Sequence, residues 1–217
     1  MTITRRWLVS EHGTLWASDA PADLVEPRVA ANFGELHPPD AEALAGAIGL
    51  PDAEALRRRF AGARRCYAAW VGGRIAGYGW ASQGSECVGE LERAFHMPAG
   101  EAYVWDCATL PDYRGRRLYS ALLSHMLIDL RRAGVRRVWI GASIDNRPSI
   151  RGFATAGFQP ILRVRYLRLA NLRCCWATSY PEAPERLVAA ARRMIAARHE
   201  RALGPLIAGF ASPRRCP

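Results

Sequence analysis

The sequence predicts a mixed α/β fold of the α+β type, in which an antiparallel first half of the sheet leads into parallel central strands flanked by helices. Three observations carry this. Two β-rich runs meet at the pair Gly72-Gly73, which is the turn chemistry of an antiparallel hairpin. From residue 101 to 169 the pattern reads strand, helix, strand, helix, strand, an alternation that calls for a right-handed crossover and parallel neighbours. Half of the 217 residues are apolar and 23% are charged, which is enough for a packed core and unlike a disordered chain.

The elements follow in chain order. Ala20 to Pro51 is rich in Pro, Asp and Ala, and helices are expected in and just beyond it over Glu26–Phe33, Asp40–Ile48 and Asp52–Phe60. The last two each open on an aspartate suited to capping. Cys66–Val71 and Arg74–Ala81 are the hairpin strands. Glu90–His96 continues or adds a strand, Pro98-Ala-Gly turns the chain, and Glu101–Thr109 is a third clear strand that Pro111 ends. The strongest helix comes next: Leu118, Leu122, Met126 and Leu130 recur every fourth residue beside Ala121 and Ala133. Arg116, Ser120, Ser124 and Arg131 face elsewhere, and Gly134 is placed to close the helix. Arg137–Ala142 reads as a buried strand. Asn146-Arg147-Pro148 starts a short helix that Gly157 ends, and Ile161–Leu169 returns as a strand. Residues 182–203 form an Arg-rich amphipathic helix that either closes the domain edge or makes a homodimer contact. One domain over residues 1–180 is expected, followed by this helix and a tail over 181–217.

Charge narrows little. The net charge is +10, from 30 basic and 20 acidic residues, and every basic residue is arginine. A lysine-free chain rich in Ala and Arg fits GC-biased coding as well as anion binding, so nucleic acid, an acidic carrier protein and coenzyme phosphates are all compatible. No basic run has the length of a nucleic-acid arm, so nucleic acid is not the expected partner. The six cysteines form no C-x-x-C pair and have no histidine at ligand spacing, which argues against zinc or any other metal. No apolar run is long enough to span a membrane, and the N-terminus lacks an apolar segment after Arg5-Arg6. A cytoplasmic protein with reduced thiols and no membrane contact is expected.

The chemistry concentrates at one junction. Thr109-Leu-Pro-Asp-Tyr-Arg114-Gly115-Arg116-Arg117-Leu118-Tyr119 joins a strand to a helix through a short loop. Backbone N–H groups at the positive end of a helix suit a pyrophosphate, Gly115 lets the chain come close to it, and Arg114 and its neighbours add charge. A second run follows: Asn146, a short helix through Ser149 and Phe153, then Gly157-Phe158.

These two runs, in order and separated by one helix and one strand, resemble the two signatures of the GNAT N-acetyltransferases, and the preceding hairpin also fits. The resemblance implies a GNAT-like fold and an acyltransferase that takes acetyl-coenzyme A, or another acyl-CoA, as co-substrate. It implies that Arg114, Gly115, Arg116, Arg117, Leu118 and Tyr119 seat the pyrophosphate, that Cys107, Ala108 and Thr109 offer main-chain groups to the pantetheine and the thioester carbonyl, and that Asn146 and Ser149 belong to the coenzyme site. The acceptor would be a small-molecule or peptide amine that attacks the thioester directly.

Three positions depart from the family pattern. Arg117 stands where glycine is usual, Tyr119 where glycine or alanine is usual, and Phe153 where many relatives carry the tyrosine that protonates the leaving thiolate. Phenylalanine donates no proton, so Tyr166, Ser149 or water would take that part. Asp106 is the candidate base for the incoming ammonium, or else a structural aspartate bonding backbone N–H groups. Glu101, Glu90 and Glu92 are weaker candidates. Cys107, inside an apolar strand, reads as core rather than as a nucleophile paired with His96 or His125. Two alternatives keep the fold: a donor carried on a carrier protein or an aminoacyl-tRNA, or a non-catalytic CoA-binding sensor.

Overall fold

The computed structural model describes residues 8–60, 64–88, 93–169 and 172–196; the start of the 90–96 segment, with Glu90 and Glu92, and the end of the C-terminal helix lie outside them. Ten strands are described: β1 (Leu8–Ser18), β2 (Asn32–Leu36), β3 (Arg64–Val71), β4 (Arg74–Ser82), β5 (Ser85–Val88), β6 (Arg93–His96), β7 (Glu101–Thr109), β8 (Arg137–Ser143), β9 (Gln159–Leu169) and β10 (Leu172–Ser179). Five α-helices accompany them: α1 (Ala41–Ile48), α2 (Glu54–Arg59), α3 (Leu118–Arg132), α4 (Arg147–Thr155) and α5 (Glu185–Ala196).

Eight strands form one sheet in the order β10-β9-β1-β8-β7-β4-β3-β2, and β5 pairs with β6 apart from it. The hairpin β3–β4 turns at Gly72 and Gly73, both with positive φ, as the Gly-Gly pair predicts. β7 and β8 are parallel, as the crossover through α3 requires. The mixed sheet flanked by helices is the predicted fold class.

The sheet differs from expectation at its centre. β8 and β9 do not touch, because β1 lies between them and is antiparallel to both. The sequence reading assigned no element to residues 8–18. There, Thr14 to Ser18 are all buried, and the register shifts between Leu15 and Trp16, so the strand lacks the alternation that marks a half-exposed one.

A second correction concerns residues 26–33. They form no helix: the chain runs along α3, where Val25 N–H donates to Ser124 Oγ at 3.0 Å and Arg28 N–H to the Arg116 carbonyl at 2.9 Å, and enters β2 at Asn32. Backbone groups satisfied by a neighbouring helix do not need a helix of their own. The same contact covers Ser124, which is buried although it faces away from the apolar stripe of α3.

The two expected capping aspartates act one step early. Asp40 accepts from His37 N–H at 2.7 Å and Asp52 from Glu54 N–H at 3.0 Å, so each closes the turn before its helix rather than the helix itself.

Helices cover both faces. α3 and α4 pack Leu122, Leu123, Met126, Leu127, Leu130 and Phe153 against Val104, Val138 and Ile140. On the opposite face α1 and α2 bury Leu44 and Leu56 against Cys66, Ala68 and Trp80. Further along that face α5 inserts Leu187, Ala190, Ala191 and Met194 against Leu162, Val164 and Tyr166. Among the described residues no helix is long and apolar enough to cross a membrane.

Candidate active site

β7 and β8 share their ladder at one end only. Parallel pairing runs from Glu101 with Arg137 to Val104 with Ile140 and stops, while β7 continues to Thr109 and β8 to Ser143. Each strand is held on its outer side: β8 by β1 as far as Ser143 opposite Gly13, β7 by β4 as far as Thr109 opposite Gly77. Strands anchored to different neighbours part from each other and leave a cleft whose inner edges carry peptide groups outside any ladder.

β7 bulges where the cleft opens. Tyr78 pairs with Ala108 and Trp80 with Trp105, so Asp106 and Cys107 both fall opposite Gly79. Asp106 has φ 43°, a conformation aspartate reaches more readily than most residues. A Cβ on Gly79 would stand 2.5 Å from Cys107 Sγ, so glycine is required there.

The bulge turns Asp106 toward the α1/α2 face. Its carboxylate pairs with the Arg59 guanidinium of α2 and accepts from the Tyr78 hydroxyl at 3.3 Å. Burial, with the Asp106 charge second, pushes the Tyr78 hydroxyl up to about 12, so it stays protonated and donates. The Arg59 guanidinium lies 5.4 Å from the Trp105 ring centre and 6.0 Å from that of Trp80.

On the other face stands the N-terminus of α3. Gly115 and Arg117 both have positive φ, 76° and 59°, and no side chain caps the helix. The first intrahelical bond of the turn is from Ala121 N–H to the Arg117 carbonyl, so the N–H groups of Leu118, Tyr119 and Ser120 precede the ladder and point outward at the positive end of the dipole. Gly115 has open space around it, and Arg114 and Arg117 are exposed. Arg114 Nε reaches the Thr109 carbonyl at 3.4 Å, while Arg116 donates to the Asp112 carbonyl at 3.1 Å and lies over Tyr113. Arg117 holds its left-handed conformation with the side chain in solvent, while the next residue, Leu118, is buried. These residues leave main-chain N–H groups unpaired at the start of the helix.

α4 begins beside it. Asn146 Oδ1 accepts from Ser149 N–H at 3.3 Å and caps the helix. Tyr119 does not point into solvent: its ring lies across the bare backbone of Gly152, 6.3 Å from the Phe153 ring centre. Burial chiefly, and the nearby Cys107 thiol, push its hydroxyl above the ordinary range, while a hydrogen bond with Ser149 offsets part of this. Phe153 is 1% exposed and packs on Trp16 and Phe158.

Cys107 is held between these faces. Burial pushes its thiol up to about 12, its Sγ donates to the Trp105 carbonyl at 3.4 Å, and it therefore offers no thiolate near neutral pH. Glu101 is occupied elsewhere, accepting from Arg137 and Trp139 at 2.6 and 2.7 Å. Among the described residues no group of three or more His, Cys, Asp or Glu is placed to hold a metal.

The structure thus gathers Cys107, Ala108 and Thr109 on the β7 edge of the cleft, Arg114 to Tyr119 at the mouth of α3, and Asn146 and Ser149 at the mouth of α4. Asp106 stands on the opposite face. Sequence reasoning missed Arg59, Tyr78 and Trp105, which surround Asp106, and the glycines Gly79 and Gly152, which accommodate Cys107 and Tyr119. The hairpin alternation places Tyr78 and Trp80 on the same face of β4, but the bulge that brings Asp106 within reach of Tyr78 has no marker in sequence.

No curated protein matches the chain. Solved structures do, at low identity. A putative GNAT acetyltransferase from Novosphingobium aromaticivorans is 18% identical, covers 75% of this chain and 67% of its own, and superposes with a TM-score of 0.51. A GCN5-related N-acetyltransferase from Sphaerobacter thermophilus is 17% identical over 78% of this chain, has a TM-score of 0.54, and is matched over about half of its own length, 51%. These likenesses concern the fold. Residues 32–158, from β2 through α4 to Phe158, match the model of the acetyltransferase (GNAT) family, and the chain belongs to that family.

Proposed function

We propose that the chain transfers the acetyl group of acetyl-coenzyme A to a primary amine by direct attack, without a covalent enzyme intermediate. The observation that carries this is the parting of β7 from β8 directly below the uncapped start of α3. An open strand edge and a ring of helix N–H groups lie on one path, the first suited to the amides of a pantetheine arm and the second to a pyrophosphate. Such a coenzyme supplies an activated acyl group.

The chain's own residues have separable parts in this reading. Main-chain N–H groups of Leu118, Tyr119 and Ser120 hold the pyrophosphate, with Arg114, Arg116 and Arg117 adding charge at the rim. Cys107, Ala108 and Thr109 act through their peptide groups, Cys107 N–H or its neighbour polarising the thioester carbonyl. Asn146 and Ser149 fix the mouth of α4. Asp106 takes the proton from the ammonium, and Tyr78, protonated throughout, holds the carboxylate in place.

The balance is simple. The amine nitrogen bonds to the acyl carbon as the carbon–sulfur bond breaks; one ammonium proton goes to Asp106 and the second to the departing sulfur, directly or through water. Phe153 takes no chemical part. A half-buried thiol whose pKa is raised well above neutrality supports direct transfer over acyl-cysteine formation.

Thermal unfolding tests the donor. At about 100 times its dissociation constant acetyl-coenzyme A adds about 2.7 kcal/mol to stability, so a clear rise in Tm is the expected result. A folded sample whose Tm is unmoved by millimolar coenzyme rejects the assignment.

A further inference from the structure

Two guanidinium groups flank the Trp105 ring, and they differ in what they are free to do. Arg64 lies 5.6 Å from the ring centre and donates through Nε and Nη2 to both oxygens of Glu86, at 2.9 and 3.1 Å. Glu86 is buried and also accepts from Ser82, which in turn accepts from the Trp105 indole at 2.7 Å. That guanidinium is held by both oxygens of one buried carboxylate.

Arg59 is different. Among the described residues its one carboxylate partner is Asp106, reached through a single nitrogen, and both side chains are more than a third exposed, at 38% and 35%. Its remaining guanidinium edge is available, and the two indoles fix the plane of the group whether or not Asp106 is bound.

The pair poses a problem for a simple amine. An ammonium that reached Asp106 would share one carboxylate with Arg59, and two like charges converging on a single anion repel each other. An acceptor that brings its own carboxylate removes the problem, because one internal ion pair is exchanged for two intermolecular ones.

We propose that the acceptor is a zwitterion of the amino-acid type, with a carboxylate beside the amine, and that Arg59 and Asp106 read the two ends together. Arg59 takes the carboxylate in a forked contact. Asp106, released from Arg59, takes the ammonium and then its proton. The acceptor's carboxylate therefore both selects the substrate and frees the base, and a peptide N-terminus or a decarboxylated amine does neither.

This rests on the reading of the cleft as an acetyl-coenzyme A site, and the two are tested separately. A rise in Tm with acetyl-coenzyme A, in the full chain and in Arg59→Gln, tests the donor alone. Thiol release is then followed with free amino acids, their α-carboxamides and the corresponding decarboxylated amines. The expected result is that the acids exceed their amides in kcat/KM by about tenfold or more, as sites built for a charged partner discriminate. In Arg59→Gln that ratio falls toward one through a rise in KM for the acids, and Arg59→Lys retains part of it. Equal rates for amides or decarboxylated amines, turnover of peptides alone, no acid acetylated although the coenzyme binds, or an unchanged ratio in Arg59→Gln would each overturn the proposal.

Discussion

The ring of Tyr119 occupies the space that a side chain at Gly152 would fill. A Cβ built on Gly152 stands 2.8 Å from Tyr119 Cε1, so the first turn of α3 and the middle of α4 meet through one large and one absent side chain. Tyr119, unusual at this position of the loop before α3, is thus a packing residue of the helix interface.

Reversing that pair tests the relation. Gly152→Ala forces a methyl into the ring and is expected to cost about 1–3 kcal/mol, as overpacking does. Tyr119→Ala leaves a cavity and costs about 3–5 kcal/mol. Tyr119→Ala with Gly152→Leu refills the space from the other side, and a double-mutant cycle in urea should return a favourable coupling of about 0.5–3 kcal/mol. Strict additivity would mean that the two positions do not share the space.

Gly115→Glu should abolish coenzyme binding while Arg116→Ala weakens it by about 1 kcal/mol. The glutamate sets bulk and negative charge at a positive-φ position beside the helix N–H groups, whereas Arg116 is a rim cation already engaged with Asp112 and Tyr113. Isothermal titration with coenzyme A measures both. Normal binding in both variants would place the phosphate seat elsewhere.

Asp106→Asn should lower turnover by about 10²- to 10⁴-fold at unchanged coenzyme affinity, which is the contribution of a positioned base. The substitution also loses the charge that holds Arg59, so Tm is recorded alongside. A folded variant with an unchanged rate from about pH 6 to about pH 9 would refute the base role.

Phe153→Tyr is expected to leave the rate nearly unchanged and to destabilise. Phe153 is enclosed by Trp16, Tyr119 and Phe158, so a hydroxyl added there enters an apolar cluster, at about 1–3 kcal/mol if it finds no partner. A marked gain in turnover would show that a missing acid limits the reaction.

His125 gives a pH dependence with a definite sign. It stacks on Phe33 at 5.8 Å, and burial chiefly lowers its pKa, with Asp129 opposing and Arg132 adding to the shift. The unfolded chain therefore binds the extra proton. The associated stability is fully present above the ordinary value near ~6.5 and declines as pH falls through it toward the lower folded value. Melting temperatures of the wild type and His125→Phe between about pH 8 and about pH 5 should converge or cross as the pH drops, with the steeper loss in the wild type.

Much of this fold is legible in sequence where one face of an element is wet. The β3–β4 hairpin, β7, α3, β8 and α4 each carry a period, a cap or a glycine stop, and the proposed anion seat follows from the loop that joins two of them. What is not legible is decided by distant contacts. Thr14 to Ser18 of β1 are all buried and the strand is bulged, so it has no period to read; residues 26–33 have helix-like composition but are satisfied by α3. The surroundings of Asp106 are set by a bulge and by α2, which lies 47 positions earlier in the chain at Arg59, and no local pattern joins the two.

The place of β1 has a consequence for how the chain is made. The strand leaves the ribosome long before its partners β8 and β9, which begin only at Arg137 and Gln159. Until they are synthesised, residues 8–18 carry unmatched hydrogen-bonding edges, and β9 and β10 join the hydrogen-bond ladder of the rest of the sheet only through them. Closure of the sheet is a late, long-range event, the kind that slows folding, and deletion of the first eighteen residues should release the C-terminal segment as one unit rather than fray a single edge.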